Sequence, residues 1–287
     1  LELPRVLEQL ADCAATQEGK ERALSLQPMT DPEEVQRAQE ETTAAVKPLV
    51  LRGSPGFSRV TPVAPSPQRA DLGGSLSTRE LLDLAPVLRC ARSVGEYGAT
   101  EEKTPISHLF NALTPNRFLE DKITNSILWE EEIADSASTE LASIRRHMRA
   151  AEAKVRDILQ KIISSNQSKY LQEAIITMRG GRYVVPVKSE HKNDIPGLVH
   201  DVSGSGSTFF IEPMGVVKAN NELRQLQAAE EKEIERILFE LSAQCAQFAD
   251  DIELDYTLLT AIDCVFARAG LAERMGAARP QVGSGGV

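Results

Sequence analysis

Leu141, Ile144, Met148, Ala151, Val155, Ile158 and Ile162 recur at alternating steps of three and four residues. That spacing lays one narrow apolar stripe along a helix and requires a partner helix upon it. The partner lies downstream, where Val216, Ala219, Leu223, Leu226, Ile234, Ile237, Leu241, Cys245 and Phe248 repeat at nearly the same step, with Glu230 intruding at a seam position. Together the two stretches predict a long antiparallel coiled-coil arm, outgoing over 129–168 and returning over 214–250. Between them the pattern changes. Ala174–Thr177, Tyr183–Val187, Gly197–His200 and Thr208–Ile211 are strand-length apolar or β-branched runs, bounded by Arg179-Gly180-Gly181-Arg182, Asn193-Asp194 and Ser203-Gly204-Ser205-Gly206-Ser207. Residues 169–213 therefore predict a small β-rich module at the tip of the arm, with Pro186 marking an edge or an irregularity. At about 1.5 Å per residue, an arm of about 35 residues would hold that tip roughly 50 Å from the body.

The remainder predicts a mainly α fold, with a helical body over 1–128 and its return over 251–287. Leu3 to Leu26 has helical apolar spacing and stops before Pro28, and Asp31-Pro32-Glu33-Glu34 restarts a helix with a cap followed by proline at its first position. Glycine and proline crowd residues 52–75 too densely for a helix. Ser77-Thr78-Arg79-Glu80 is a capping box, opening a helix that runs to about Tyr97 with Pro86 as a kink within it.

A chain of 287 residues with 41% apolar content can bury an ordinary core, and it has no apolar run near the ~20 residues needed to cross a bilayer. No secretory signal opens it. Cys13, Cys90, Cys245 and Cys264 are widely spaced with no CxxC pair, which disfavours a zinc ribbon or a disulfide framework and suits packing residues in a reducing, cytoplasmic setting.

A net charge of −10 argues against nucleic-acid binding only if the charge is evenly spread. It is not. Residues 142–192 hold eleven Lys and Arg against four Asp and Glu, a local +7 that leaves −17 for the rest. Arg179, Arg182, Lys188 and Lys192, with Lys169 on the tip and Arg145, Arg146 and Arg149 on the arm, are the candidate contacts to backbone phosphates. On the helices, opposite charges also serve to flank the seam and fix pairing; on the tip no acidic partner is evident. Tyr183 is the only aromatic flanked by basic residues, and its strand context points to packing.

Enzyme signatures are lacking. The Gly/Ser run at 203–207 ends in Thr208 and a strand, whereas a Walker loop needs a Lys-Ser/Thr end and a helix. His108, His147, His191 and His200 lack metal-ligand spacing, and no nucleophile with a matching context joins them. Neither catalytic residues, a metal site nor a cofactor site is expected in this segment.

Thr177-Met178-Arg179-Gly180-Gly181-Arg182-Tyr183-Val184-Val185-Pro186-Val187-Lys188, then Pro196-Gly197-Leu198-Val199-His200-Asp201-Val202-Ser203-Gly204-Ser205-Gly206-Ser207-Thr208-Phe209-Phe210-Ile211-Glu212-Pro213, and Asn220-Asn221-Glu222-Leu223 closely resemble the clamp region of the MutS family. The nearest branch is the second bacterial MutS paralogue. Leu3-Pro4-Arg5-Val6-Leu7-Glu8-Gln9-Leu10 with Thr16-Gln17-Glu18-Gly19-Lys20 resembles the start of its lever, and Ile234-Glu235-Arg236-Ile237-Leu238 its returning arm. The resemblance implies a lever and clamp without the motor: a dimerising ATPase domain that uses ATP and magnesium, and a small nuclease-like domain, are expected past Val287. It also implies that the whole protein acts on branched DNA to suppress recombination, or recognises and splits collided ribosomes, with branched DNA or ribosomal RNA as partner, a homodimer as its state and no membrane. Phe118-Leu119-Glu120 and Phe210-Ile211-Glu212 look like the mismatch-reading Phe-x-Glu of the repair paralogues, but the preceding Gly-x is absent, so both read as structural. A coiled-coil module that binds protein without touching nucleic acid is the alternative.

Overall fold

Capping side chains mark where five of the described α-helices begin. The computed structural model describes residues 2–57, 60, 70, 73–100, 102–130 and 132–282, so most of the Gly/Pro-rich stretch at 52–75 and the Gly/Ser tail lie outside the described residues. Asp31 accepts the Glu33 amide at 3.0 Å and opens α3 (Pro32–Arg52). Ser77 and Glu80 form the capping box of α4 (Thr78–Gly98), which passes through Pro86 without ending. The single helix expected over Leu3–Leu26 is instead two, α1 (Leu3–Ala11) and α2 (Gln17–Leu24). The break has a clear cause. Asp263 accepts from the amides of Ala15 and Thr16, at 2.9 and 2.7 Å, and from the Thr16 hydroxyl at 2.6 Å, while that hydroxyl caps α2 through the Gly19 amide.

The structure divides into two compact units, residues 1–134 with 238–287, and residues 135–237. In the first, α5 (Ser107–Asn111), α6 (Arg117–Ser126) and the two-stranded β1 (Ile127–Trp129) and β2 (Glu132–Ile133) complete the N-terminal part. The final helix α9 (Ala249–Met275) packs on α2, α3 and α4. Leu81, Leu84, Val87, Leu88 and Val94 of α4 and Leu259, Ile262 and Phe266 of α9 lie in its core. Glu120 is buried there too, paired with Arg89 and Arg92 at 3.0 Å each, a structural role as its sequence context suggests.

The second unit carries α7 (Thr139–Ile163), a four-stranded antiparallel sheet, and α8 (Met214–Gln247) as far as Ile237. Its strands are β3 (Thr177–Arg179), β4 (Arg182–Lys188), β5 (Gly197–Val202) and β6 (Thr208–Pro213), in the order β3-β4-β6-β5. The chain is thus mainly α with a small antiparallel sheet. Gly180 and Gly181, both at positive φ (55° and 73°), make the two-residue turn that sets Arg179 opposite Arg182. That turn pins β3 to Thr177–Arg179, later than the run at Ala174–Thr177 suggests. Pro186 lies in an inner strand. Its carbonyl accepts from Gln172, so its missing N–H falls on the side facing that irregular segment and not on the ladder with β6.

Ala151, Val155 and Leu159 of α7, Val216, Ala219 and Leu223 of α8, and Tyr183, Val185, Val187 and Ile211 of the sheet form one core. The two helices therefore share the seam that their spacing predicts, with one correction. After Val155 the buried position is Leu159, fully enclosed, while Ile158 is half-buried near Gly215. An undistorted helix turns by 3.6 residues, so a second step of four keeps the stripe facing the sheet where a step of three suits only a helix pair. The polar interruption is also accounted for. Arg145 donates to Glu230 and Asp135 at 2.7 Å each, and Ser138, which caps α7 through the Leu141 amide, donates to Glu233 at 2.6 Å. Among the described residues no helix is long and apolar enough to cross a membrane, and the four cysteines are free thiols.

Leu159→Ala is expected to lower the unfolding free energy of this unit by about 3 kcal/mol, and Ile158→Ala by less than about half as much. Urea melts of the two variants check this; equal losses would contradict the seam register.

Candidate nucleic-acid interface

The tip cations sort themselves by what already holds them. Glu212, at the end of β6, is fully buried and accepts from Arg182 at 2.7 Å, from the Asn220 side-chain amide at 2.8 Å and from His200 at 2.5 Å. Arg182 also donates to Asn221 at 2.5 Å, and the Asn220 amide to the Tyr183 carbonyl at 3.1 Å. The absence of acidic partners expected for the tip is thereby corrected: Arg182 faces a buried carboxylate 30 residues away in sequence, and its side chain is only 16% exposed. Arg179 is committed as well, to Asp201 at 3.1 Å, with its guanidinium 3.9 Å from the centre of the Phe210 ring. On the arm, Arg145 is held by Asp135 and Glu230, and Arg149 reaches Asp135 at 3.4 Å while staying largely exposed.

What remains is a smaller set. Lys169, Lys188, Lys192 and Arg146 make no ion pair among the described residues; nor do Lys154, Arg156 and Lys161 on the exposed part of α7. Lys188 donates to the Lys169 carbonyl at 3.1 Å, and Lys192 lies 5.5 Å from the Phe209 ring centre. These three lysines gather because Leu171 bridges Val187 across the end of β4 and the turn Ser189–His191 follows directly. Tyr183, the aromatic considered from sequence, is buried in the core. Tyr170 and His191 were missed. Their ring centres are 4.8 Å apart beside the lysines, although they stand 21 positions apart, each outside the predicted strand runs that lie between them.

No protein-family model matches the chain. It is 44% identical over 277 residues, 95% of its length, to the protein named Endonuclease MutS2 of Ruminiclostridium cellulolyticum. Its likeness to the proteins of that name from Acetivibrio thermocellus and Agathobacter rectalis is 43% over 278 residues and 41% over 291, covering 95% and 100% of the chain. The chain belongs to the MutS2-type proteins. It spans about a third of the length of these relatives, 35 to 37%.

ATP and magnesium, which the resemblance implies for the whole protein, find no fitting phosphate loop or metal cluster among the described residues. The Gly/Ser run of 203–207 leads into β6, a strand, and its hydroxyls bond one another, Ser203 to Ser205 at 3.3 Å and Ser205 to Ser207 at 2.8 Å. Among the described residues no group of three or more His, Cys, Asp or Glu side chains is placed to hold a metal ion.

Two buried acids of this MutS2-type segment are held below the usual carboxylate range. Burial pushes the Glu212 carboxyl up, but the hydrogen bonds from Asn220, His200 and Arg182 and the Arg182 charge together outweigh it and hold the group below the usual carboxylate range. Glu233 is held at about 2 by the hydrogen bonds from Arg236 and then Ser138. Because each folded value is depressed, the stability involved is fully present above the ordinary carboxylate pKa of about 4.3 and is lost as pH falls through the lower folded value. Glu212→Gln is therefore expected to be less stable than wild type at neutral pH, with a flatter loss of stability below about pH 4. Urea midpoints of both proteins from neutral pH to about pH 3 check this; parallel acid slopes would contradict the charged role of Glu212.

Proposed function

We propose that residues 135–237 grip nucleic acid by its phosphates, through Lys169, Lys188 and Lys192 at one end of the sheet, with Arg146 and the exposed cations of α7 as outlying contacts. One observation carries this reading: these cations have no ion-pair partner among the described residues, while Arg145, Arg149, Arg179, Arg182 and Arg236 of the same unit are held in structural pairs. Solvent-facing ammonium groups in an otherwise acidic chain suit a polyanion, and such contacts position a backbone without reading sequence. The family likeness supports a role in the whole protein as the gripping part of an ATP-driven, dimeric, cytoplasmic machine acting on branched DNA or on ribosomal RNA within stalled ribosomes. The relatives' printed name, an endonuclease, concerns those proteins.

A protein partner is the second reading, favoured by the edge strand β5, where Leu198, Val199 and Val202 are all exposed. Salt separates the two. Phosphate contacts lose affinity steeply between about 50 and 200 mM salt, and an apolar interface does not.

The triple substitution Lys169→Glu, Lys188→Glu, Lys192→Glu is expected to weaken binding to a branched DNA junction and to structured RNA alike, and to flatten the salt slope by roughly one unit per lost contact. Arg182 stays untouched, since reversing it would strand Glu212. A triple variant with wild-type circular dichroism and unchanged affinity and salt slope would overturn the phosphate grip and favour the protein partner.

A further inference from the structure

The lysine cluster surrounds two rings that phosphate contact alone does not require. Tyr170 closes the short helical turn Asn166–Tyr170, and His191 ends the turn Ser189–His191. The Leu171–Val187 bridge brings those turns together, so that the ring centres lie 4.8 Å apart with a tilt of 41°. Neither ring is lost in the core: Tyr170 is half-buried, and the His191 side chain is 35% exposed. The Lys169 ammonium stands 5.0 Å from the Tyr170 ring centre, and the Lys192 ammonium 5.5 Å from that of Phe209. Asp194 and Glu190 are the acids beside the pair, and Asp194 is occupied at 2.8 Å from His191 Nδ1.

Resting on the nucleic-acid reading, we propose that the Tyr170–His191 step is a stacking site for an unpaired base, with Lys169, Lys188 and Lys192 on the flanking phosphates. Aromatic surface within a cationic rim is the usual platform for single strands, because every base offers a π-face whatever its identity. A duplex keeps those faces stacked internally. The site therefore selects ends, loops and unpaired junction bases over continuous double helix, a preference that phosphate contacts cannot supply.

The test uses the 287-residue chain, an unstructured oligothymidylate and a blunt duplex of equal length. Tyr170→Leu with His191→Leu is expected to weaken oligothymidylate binding roughly tenfold, with the duplex affinity and both salt slopes unchanged. Tyr170→Phe, which keeps the ring, should restore most of the loss in the presence of wild-type His191. Since Tyr170 also packs on the core, quenching of a 2-aminopurine placed in the oligonucleotide provides a second readout in the unaltered protein. Quenching on binding supports stacking. No quenching, or equal losses for both nucleic acids in the leucine variant, overturns it while leaving the phosphate grip intact. Failure of the wild-type chain to bind either polymer at about 50 mM salt overturns both.

Discussion

A fully buried carboxylate, that of Glu212, is the constraint on which the β-rich module rests. Removing a charge from water costs several kcal/mol unless partners replace the lost hydration, and here three do, from three different elements: Arg182 of β4, His200 of β5 and Asn220 of α8. Taking away any one leaves the charge partly uncompensated, so the network ties β4, β5 and β6 to one another and to the returning helix. The bulge in β5 belongs to this arrangement. Register passes from Val199 opposite Ile211 to Asp201 opposite Phe210, and the extra residue, His200, is the one that meets Glu212, while Asp201 meets Arg179.

This network also decides which cations remain for a partner. Arg182 and Arg179 are consumed near Glu212 and Asp201, and Arg145 is consumed where α7 faces α8. The pairs Arg145–Glu230 and Ser138–Glu233 interrupt an apolar seam at fixed points, which specifies helix register more than it adds stability. Basic residues outside these pairs, at the far end of β4 and along exposed α7, are left facing solvent. The local excess of positive charge thus has two parts, one held in ion pairs and one without an ion-pair partner among the described residues.

The α/β division, the capping starts at Asp31 and Ser77, the glycine turn at 180–181 and the seam shared by α7 and α8 were readable, because each depends on contacts local in sequence or on a strict repeat. Leu159 was not, because the sheet and not only the partner helix decides which side of α7 is buried. Thr16 opens a new helix where periodicity alone would continue the first, since it is held by Asp263, 247 positions away. Likewise the partners of Arg179 and Arg182 come from strands that approach only once the sheet has formed. Charge counting weighed every cation equally, whether or not an acid holds it. The pairing of Tyr170 with His191 left no trace in the sequence, their proximity being created by an isolated bridge between irregular backbone and β4.

The claim that the free lysines and not the paired arginines face the partner is most directly tested by lysine acylation footprinting, read by mass spectrometry with and without a branched DNA junction. Bound junction is expected to protect Lys169, Lys188 and Lys192 while Lys218 and Lys232, exposed on α8, keep their reactivity. Saturated binding that leaves the three tip lysines as reactive as in the free protein would contradict the account.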